Sequence, residues 1–220
     1  KITQRAYFKL KSETLRPLSD FTKLAYKITN FMCFAIDAIV TLKNVSATSI
    51  EIQREVGEGK FYPVPINIYY SSIPYSENLP NKSWHQMLFT YGVIKSNAQD
   101  FFNNWINAYE VLSPALNLYF STQIGAQKYL DGKFLALAQG LETYHRRTSD
   151  EKLMDSCEFD SLVSTIIEKC PDKHVDWLKG RLMHGNEINL GKRIKLIIEP
   201  FKSHLGNSNE RTKLLRKIVD

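Results

Sequence analysis

Apolar residues recur at three- and four-residue steps over most of this chain, and that period restricts its fold more than any other feature. Leu18, Phe21, Leu24, Ala25, Ile28, Phe31, Met32, Ala35, Ile36 and Ile39 form one such series. They predict a helix over 17–42, with Pro17 suited to the first turn. The period returns in 98–112, where Phe101, Phe102, Trp105, Ile106 and Tyr109 share a broad face. A separate short helix is predicted over 112–122, with Ser113 as cap and Pro114 at its first position. Further helices are predicted near 126–147, 160–170, 174–185, 188–201 and 208–220. Asp160 or Ser161 caps the second of these, Gly185 stops the third and Pro200 ends the fourth.

Three stretches depart from this period. AYFKLKS (6–12), VSATSIEIQREV (45–56) and FYPVPINIYYSS (61–72) are rich in aromatic or β-branched residues and alternate in part. They read as strands, with GEGK (57–60) as a turn and the prolines confining the last stretch to a sheet edge. The expected fold class is α+β, mostly α. A mixed helix/strand domain is expected over 1–122, followed by a helical bundle over 123–220.

The 220 residues are enough for a sizeable core. Both ends read as interior to a longer protein: Lys1 stands where a Met would start, and LLRKIVD stops mid-pattern. The most apolar run, FMCFAIDAIV, is too short to span a bilayer and carries Asp37, so no membrane partner is expected. Cys33, Cys157 and Cys170 lie far apart, and their odd number points to reduced thiols and a cytoplasmic setting. Net charge is +6, but its placement says more. From Lys173 to Lys217 there are eleven Lys/Arg and four Asp/Glu, so the remainder of the chain is close to neutral. A basic excess of this kind suits a polyanion partner such as nucleic acid, and it equally suits a solvated helix surface.

Common catalytic signatures are absent. The chain has no GxxxxGK[ST], GxGxxG, HExxH, GxSxG or Cys/His zinc spacing, and its five His are scattered. Neither a metal nor a cofactor is expected. KFLALAQGLETYHRR (133–147) is the richest polar cluster. On a helix, Leu130, Phe134, Leu137, Ala138, Leu141 and Tyr144/His145 make the expected core-facing stripe. Glu142 and Arg146 are spaced i,i+4, worth about 0.2–0.5 kcal/mol as a surface pair. Arg146 and Arg147 also complement the helix dipole. A charged helix end therefore accounts for this cluster without any site.

FLALAQGLETYHRR (134–147), VDWLKGRLMHGNEINLGKRIKLIIEPF (175–201) and ERTKLLRKIVD (210–220) together resemble the ApeA-like HEPN domain of prokaryotes. The long helix at 17–42, the aromatic helix with Trp105 and the LSPALNLYF helix are similar to that family's N-terminal domain. The resemblance implies a helical bundle of a kind that often acts as a metal-independent RNase in toxin or antiphage-defence systems, usually as a homodimer. Such RNases carry an Arg and a His separated by four to six residues. No Arg in this chain has a His at that separation, and Arg181 precedes His184 by only three positions. The pair is therefore expected just beyond Asp220. Its chemistry is coherent: a base activates the ribose 2′-OH, and donors stabilise the developing phosphorane charge.

On this resemblance Glu142, His145 and Arg146 become residues that support the site or face RNA, and Arg211, Lys213, Arg216 and Lys217 line a phosphate-binding surface. A phage-derived or cellular trigger is expected at the N-terminal domain. The alternative is a non-catalytic module that binds nucleic acid or senses a trigger.

Overall fold

In the computed structural model, which describes residues 7–70, 75–76, 80–125 and 127–203, the fold is α+β and mostly α. The chain divides into two compact units. One comprises 1–110 with 123–126, the other 111–122 with 127–220.

The first unit is organised by α1 (Leu18–Ile36). The helix ends six residues before its predicted stop. Asp37 turns left-handed at φ 55°, and the Asp37 and Ala38 amides close back on the Phe34 and Cys33 carbonyls, both at 3.1 Å. Lys82 Nζ holds this corner, donating to the Asp37 carbonyl at 2.5 Å and to its carboxylate at 2.6 Å. Ile39 thus matched the helical period without being on the helix. The next long helix, α3 (Ala98–Gln123), follows the short α2 (Tyr91–Ile94).

α3 is one helix, not the predicted two. Pro114 lies inside it rather than at a start. Proline has no N–H to give the carbonyl four residues back, that of Glu110. The chain passes from one unit to the other between residues 110 and 111.

Aromatic rings fill the first unit's core. Phe31 is nearly buried among Phe89, Phe102 and Trp105, with ring centres 5.6, 4.5 and 5.4 Å away. Trp105 stacks on Phe34 and donates Nε1–H to the Lys27 carbonyl at 2.8 Å. Asn30 donates to the buried Tyr109 hydroxyl at 2.5 Å, and burial pushes that phenol's pKa up.

The strand content is a nested pair of short antiparallel ribbons. β1 (Ser46–Ala47) pairs with β4 (Ile66–Asn67), and β2 (Gln53–Glu55) with β3 (Phe61–Pro63). The 57–60 turn joins β2 to β3, with Gly57, Glu58 and Gly59 all at positive φ. In a two-stranded ribbon both strands are edges, so Pro63 is tolerated. The predicted strand over 6–12 is not found: 7–12 pairs with no described strand, and without a ladder an alternating sequence has nothing to hold it extended.

The second unit holds α4 (Leu130–Thr148), α5 (Ser156–Glu168), α6 (Val175–Leu182) and α7 (Leu190–Ile198), with residues 111–122 of α3. α5 begins four residues before its predicted start. Its cap is Asp155, which accepts from the Cys157 and Glu158 amides, and not Asp160 or Ser161. Asn189 caps α7 by accepting from the Lys192 amide at 2.8 Å. The helix predicted over 208–220 lies outside the described residues.

The buried face of α4 differs from the predicted stripe. Ala136, Ala138, Gly140 and His145 are buried, whereas Leu130, Phe134, Leu137, Leu141 and Tyr144 are exposed. A Cβ on Gly140 would meet the Ala115 carbonyl at 3.5 Å and Leu118 Cβ at 3.6 Å. Small side chains let α4 approach its neighbours closely, and that proximity outweighs the larger apolar residues on the other side.

Candidate functional site

The polar ending of α4 packs against α7, and the two helices share a charged network. His145, only 4% exposed, stands on α4's small-residue face. Arg193, only 3% exposed, reaches it from α7, with Nη1 3.1 Å from His145 Nδ1. Guanidinium groups only donate, so Nδ1 is the acceptor and the ring's proton sits on Nε2, 3.7 Å from Glu151 Oε2. Arg193 Nε donates to the Ile188 carbonyl at 3.0 Å, and Nη2 lies 3.6 Å from Glu187. A buried guanidinium is tolerated only when paired and hydrogen-bonded in this way.

Glu187 is the junction of the network. Its Oε2 takes Arg146 as well as Arg193, and its Oε1 takes His184 Nδ1 at 2.9 Å. Arg146 is also held by Glu142 at 3.0 Å. Hydrogen bonds from Arg146 and then His184 keep the Glu187 carboxyl below its ordinary pKa. Glu142 and then Glu187 push the Arg146 pKa up, so the guanidinium stays charged. A short antiparallel bridge from Lys152 to Glu187 ties the segment after α4 to the same point.

The structure therefore brings Glu142, His145 and Arg146 together, but in different roles. His145 faces inward, and Arg146 is committed to two carboxylates. Glu187, Arg193 and His184 complete the network and were missed as site residues. A carboxylate two positions before the Asn189 cap, with an Arg four beyond it, was the available signal, but only the tertiary fold pairs them with α4. Arg211, Lys213, Arg216 and Lys217 lie outside the described residues. Among the described residues, no three His, Cys, Asp or Glu side chains converge as metal ligands. No helix among them is long and apolar enough to cross a membrane.

The first unit has its own depression of about 370 Å³, lined by Thr41, Asn44, Asn67, Tyr69, Tyr70 and Tyr75 among others. Burial raises the Tyr70 phenol's pKa there.

Residues 135–220 match the family model Apea-like HEPN, and residues 1–105 match ApeA N-terminal domain 1. The chain belongs to the ApeA-like HEPN proteins. Only 106–134 lie outside the two matches. No curated protein and no solved structure matches. Every member of the charged network falls within the HEPN segment. Helix α3 runs from the N-terminal segment into the stretch between the two.

Proposed function

We propose that this chain belongs to a metal-independent HEPN endoribonuclease of a prokaryotic defence or toxin system, acting in the cytoplasm as a homodimer on RNA. The observation that carries the reading is the HEPN match over 135–220, preceded on the same chain by the ApeA N-terminal match. The basic surplus after Lys173 supports a polyanionic substrate. In this reading the network is a positioning device. Glu187 and Arg193 fix α4 against α7, and Glu142, His145 and Arg146 act through that fixed pair rather than on RNA.

The proton chemistry falls to an Arg-x(4–6)-His after Asp220 in the parent reading frame. The His takes the 2′-OH proton as that oxygen attacks phosphorus. The bond to the 5′ oxygen breaks, and that oxygen takes up a proton from the protonated His or from water, leaving a 2′,3′-cyclic phosphate and a 5′-hydroxyl. The Arg stabilises the charge on the phosphorane.

Incubating the full-length protein with RNA in EDTA tests this. Cyclic-phosphate ends are expected, and they should vanish when the motif His is changed to Ala. Intact RNA after incubation with the full-length dimer sinks the enzyme reading. A non-catalytic, trigger-sensing module is the second reading. It is favoured by the tyrosine-lined depression of the first unit and by the engagement of Arg146 and His145 within the fold. Saturable RNA binding without cleavage supports it.

A further inference from the structure

A second depression, of about 210 Å³, opens beside the charged network. That is the room of about seven waters, suited to one planar heterocycle. Its lining includes Lys152, Phe159, Asp160, Met183, His184 and Glu187.

The frame of this depression is fixed. The Leu153 amide donates to the Asn186 carbonyl at 3.0 Å, and the Met154 amide to Asn186 Oδ1 at 2.9 Å. Asn186 Nδ2 returns a bond to the Met154 carbonyl at 3.0 Å. Gly185 sits against Phe159, whose ring would lie 3.1 Å from a Cβ there. Glu187, gripped by Arg146 and Arg193, holds the His184 ring by Nδ1.

Three polar tips are left unspent among the described residues: the Asp160 carboxylate, the Lys152 ammonium and His184 Nε2. None has a hydrogen-bond or ion-pair partner there, although all three residues line one depression. A concave site with a few convergent, uncommitted polar groups is the usual form of a ligand pocket.

We propose that this depression is a guanine-selective base pocket along the RNA path, an inference that rests on the RNA reading above. Guanine's Watson–Crick edge presents two adjacent N–H donors, at N1 and N2, beside the O6 acceptor. Asp160 accepts the two donors, Lys152 donates to O6, and the His184 and Phe159 rings flank the base plane. Uracil offers a single donor between two acceptors, so it cannot satisfy the carboxylate in the same way. The base belongs to a single strand, where it is free to leave the stack.

Fluorescence anisotropy on the full-length protein tests the pocket. The probes are single-stranded octamers with 2′-O-methyl ribose, which blocks cleavage: one all-uridine, and one with a single central guanosine. The guanosine oligomer is expected to bind about tenfold more tightly. Asp160→Asn should bring that ratio close to one. His184→Ala should lower it less. Both side chains are exposed, so neither change should disturb folding, and circular dichroism checks this. Equal affinity for the two oligomers overturns the pocket and leaves the RNA reading standing. An Asp160→Asn protein that keeps its preference also overturns it. Absence of binding to either oligomer overturns the RNA reading itself.

Discussion

The cores of the two units are built on opposite plans. The first closes around large rings: Phe31, Phe34, Phe89, Phe102 and Trp105 stack and tilt against one another. The second closes around small side chains and a buried charge, with Ala136, Ala138 and Gly140 on α4 letting Arg193 of α7 reach His145. Ring packing tolerates some repacking, because its driving force is area and not direction. A buried guanidinium tolerates little, because each donor needs a partner in place.

The largest expected effect lies in the aromatic core. Phe31→Ala removes a nearly buried ring and should cost the first unit about 3–5 kcal/mol, read from its denaturant unfolding transition. Arg193→Ala should cost the second unit about 3 kcal/mol, while Arg193→Met, which keeps volume and removes the charge, should cost much less. If the alanine and methionine variants are equally destabilised, directional pairing is not what sets α4 against α7.

A pH series sharpens the contrast further. The Glu187 carboxyl is held below its ordinary value of 4.5, so its stabilisation is complete above that pH. It drains away as pH falls through the lowered value. Thermal melts should show this acid loss, and Glu187→Gln should flatten it. Glu110, held low chiefly by Lys27, has the same sign in the first unit. Its exposure makes Glu110→Gln the weaker change. The smallest effect is Gly140→Ala. Its new Cβ meets only ordinary contacts, so better helix propensity should raise the melting temperature slightly, with about 0.5–1 kcal/mol at stake. A marked loss of stability would mean that α4 lies closer to α3 than these contacts allow.

Much of the architecture was legible in the sequence. The helical periods, the GEGK turn and the family strings came from local pattern, and local pattern is what fixes them. The buried face of α4 was not legible. Periodicity ranks faces by apolar size, whereas close helix approach selects Ala and Gly. Nor was the continuity of α3, since Ser-Pro reads as a start wherever it occurs, and packing along both sides of the residue can override it. The partnership of His145 with Arg193 spans 48 positions and depends on how α7 docks, which no window of sequence contains.

Helix α3 has a consequence for inheritance and for gene dissection. The two family segments end and begin at 105 and 135, yet α3 runs on to residue 123 and gives its last turns to the second unit. A gene cut at 135 would strip Gly140 of Ala115 and Leu118, the residues against which it rests, whereas a cut at 105 would leave all three on one piece and sever α3 instead. The segments are therefore not interchangeable beads on a string. A recombination event that swapped one N-terminal sensor for another would have to carry the Pro114 region across with the HEPN half. Chimeras joined before residue 111 should fold where those joined at 135 do not.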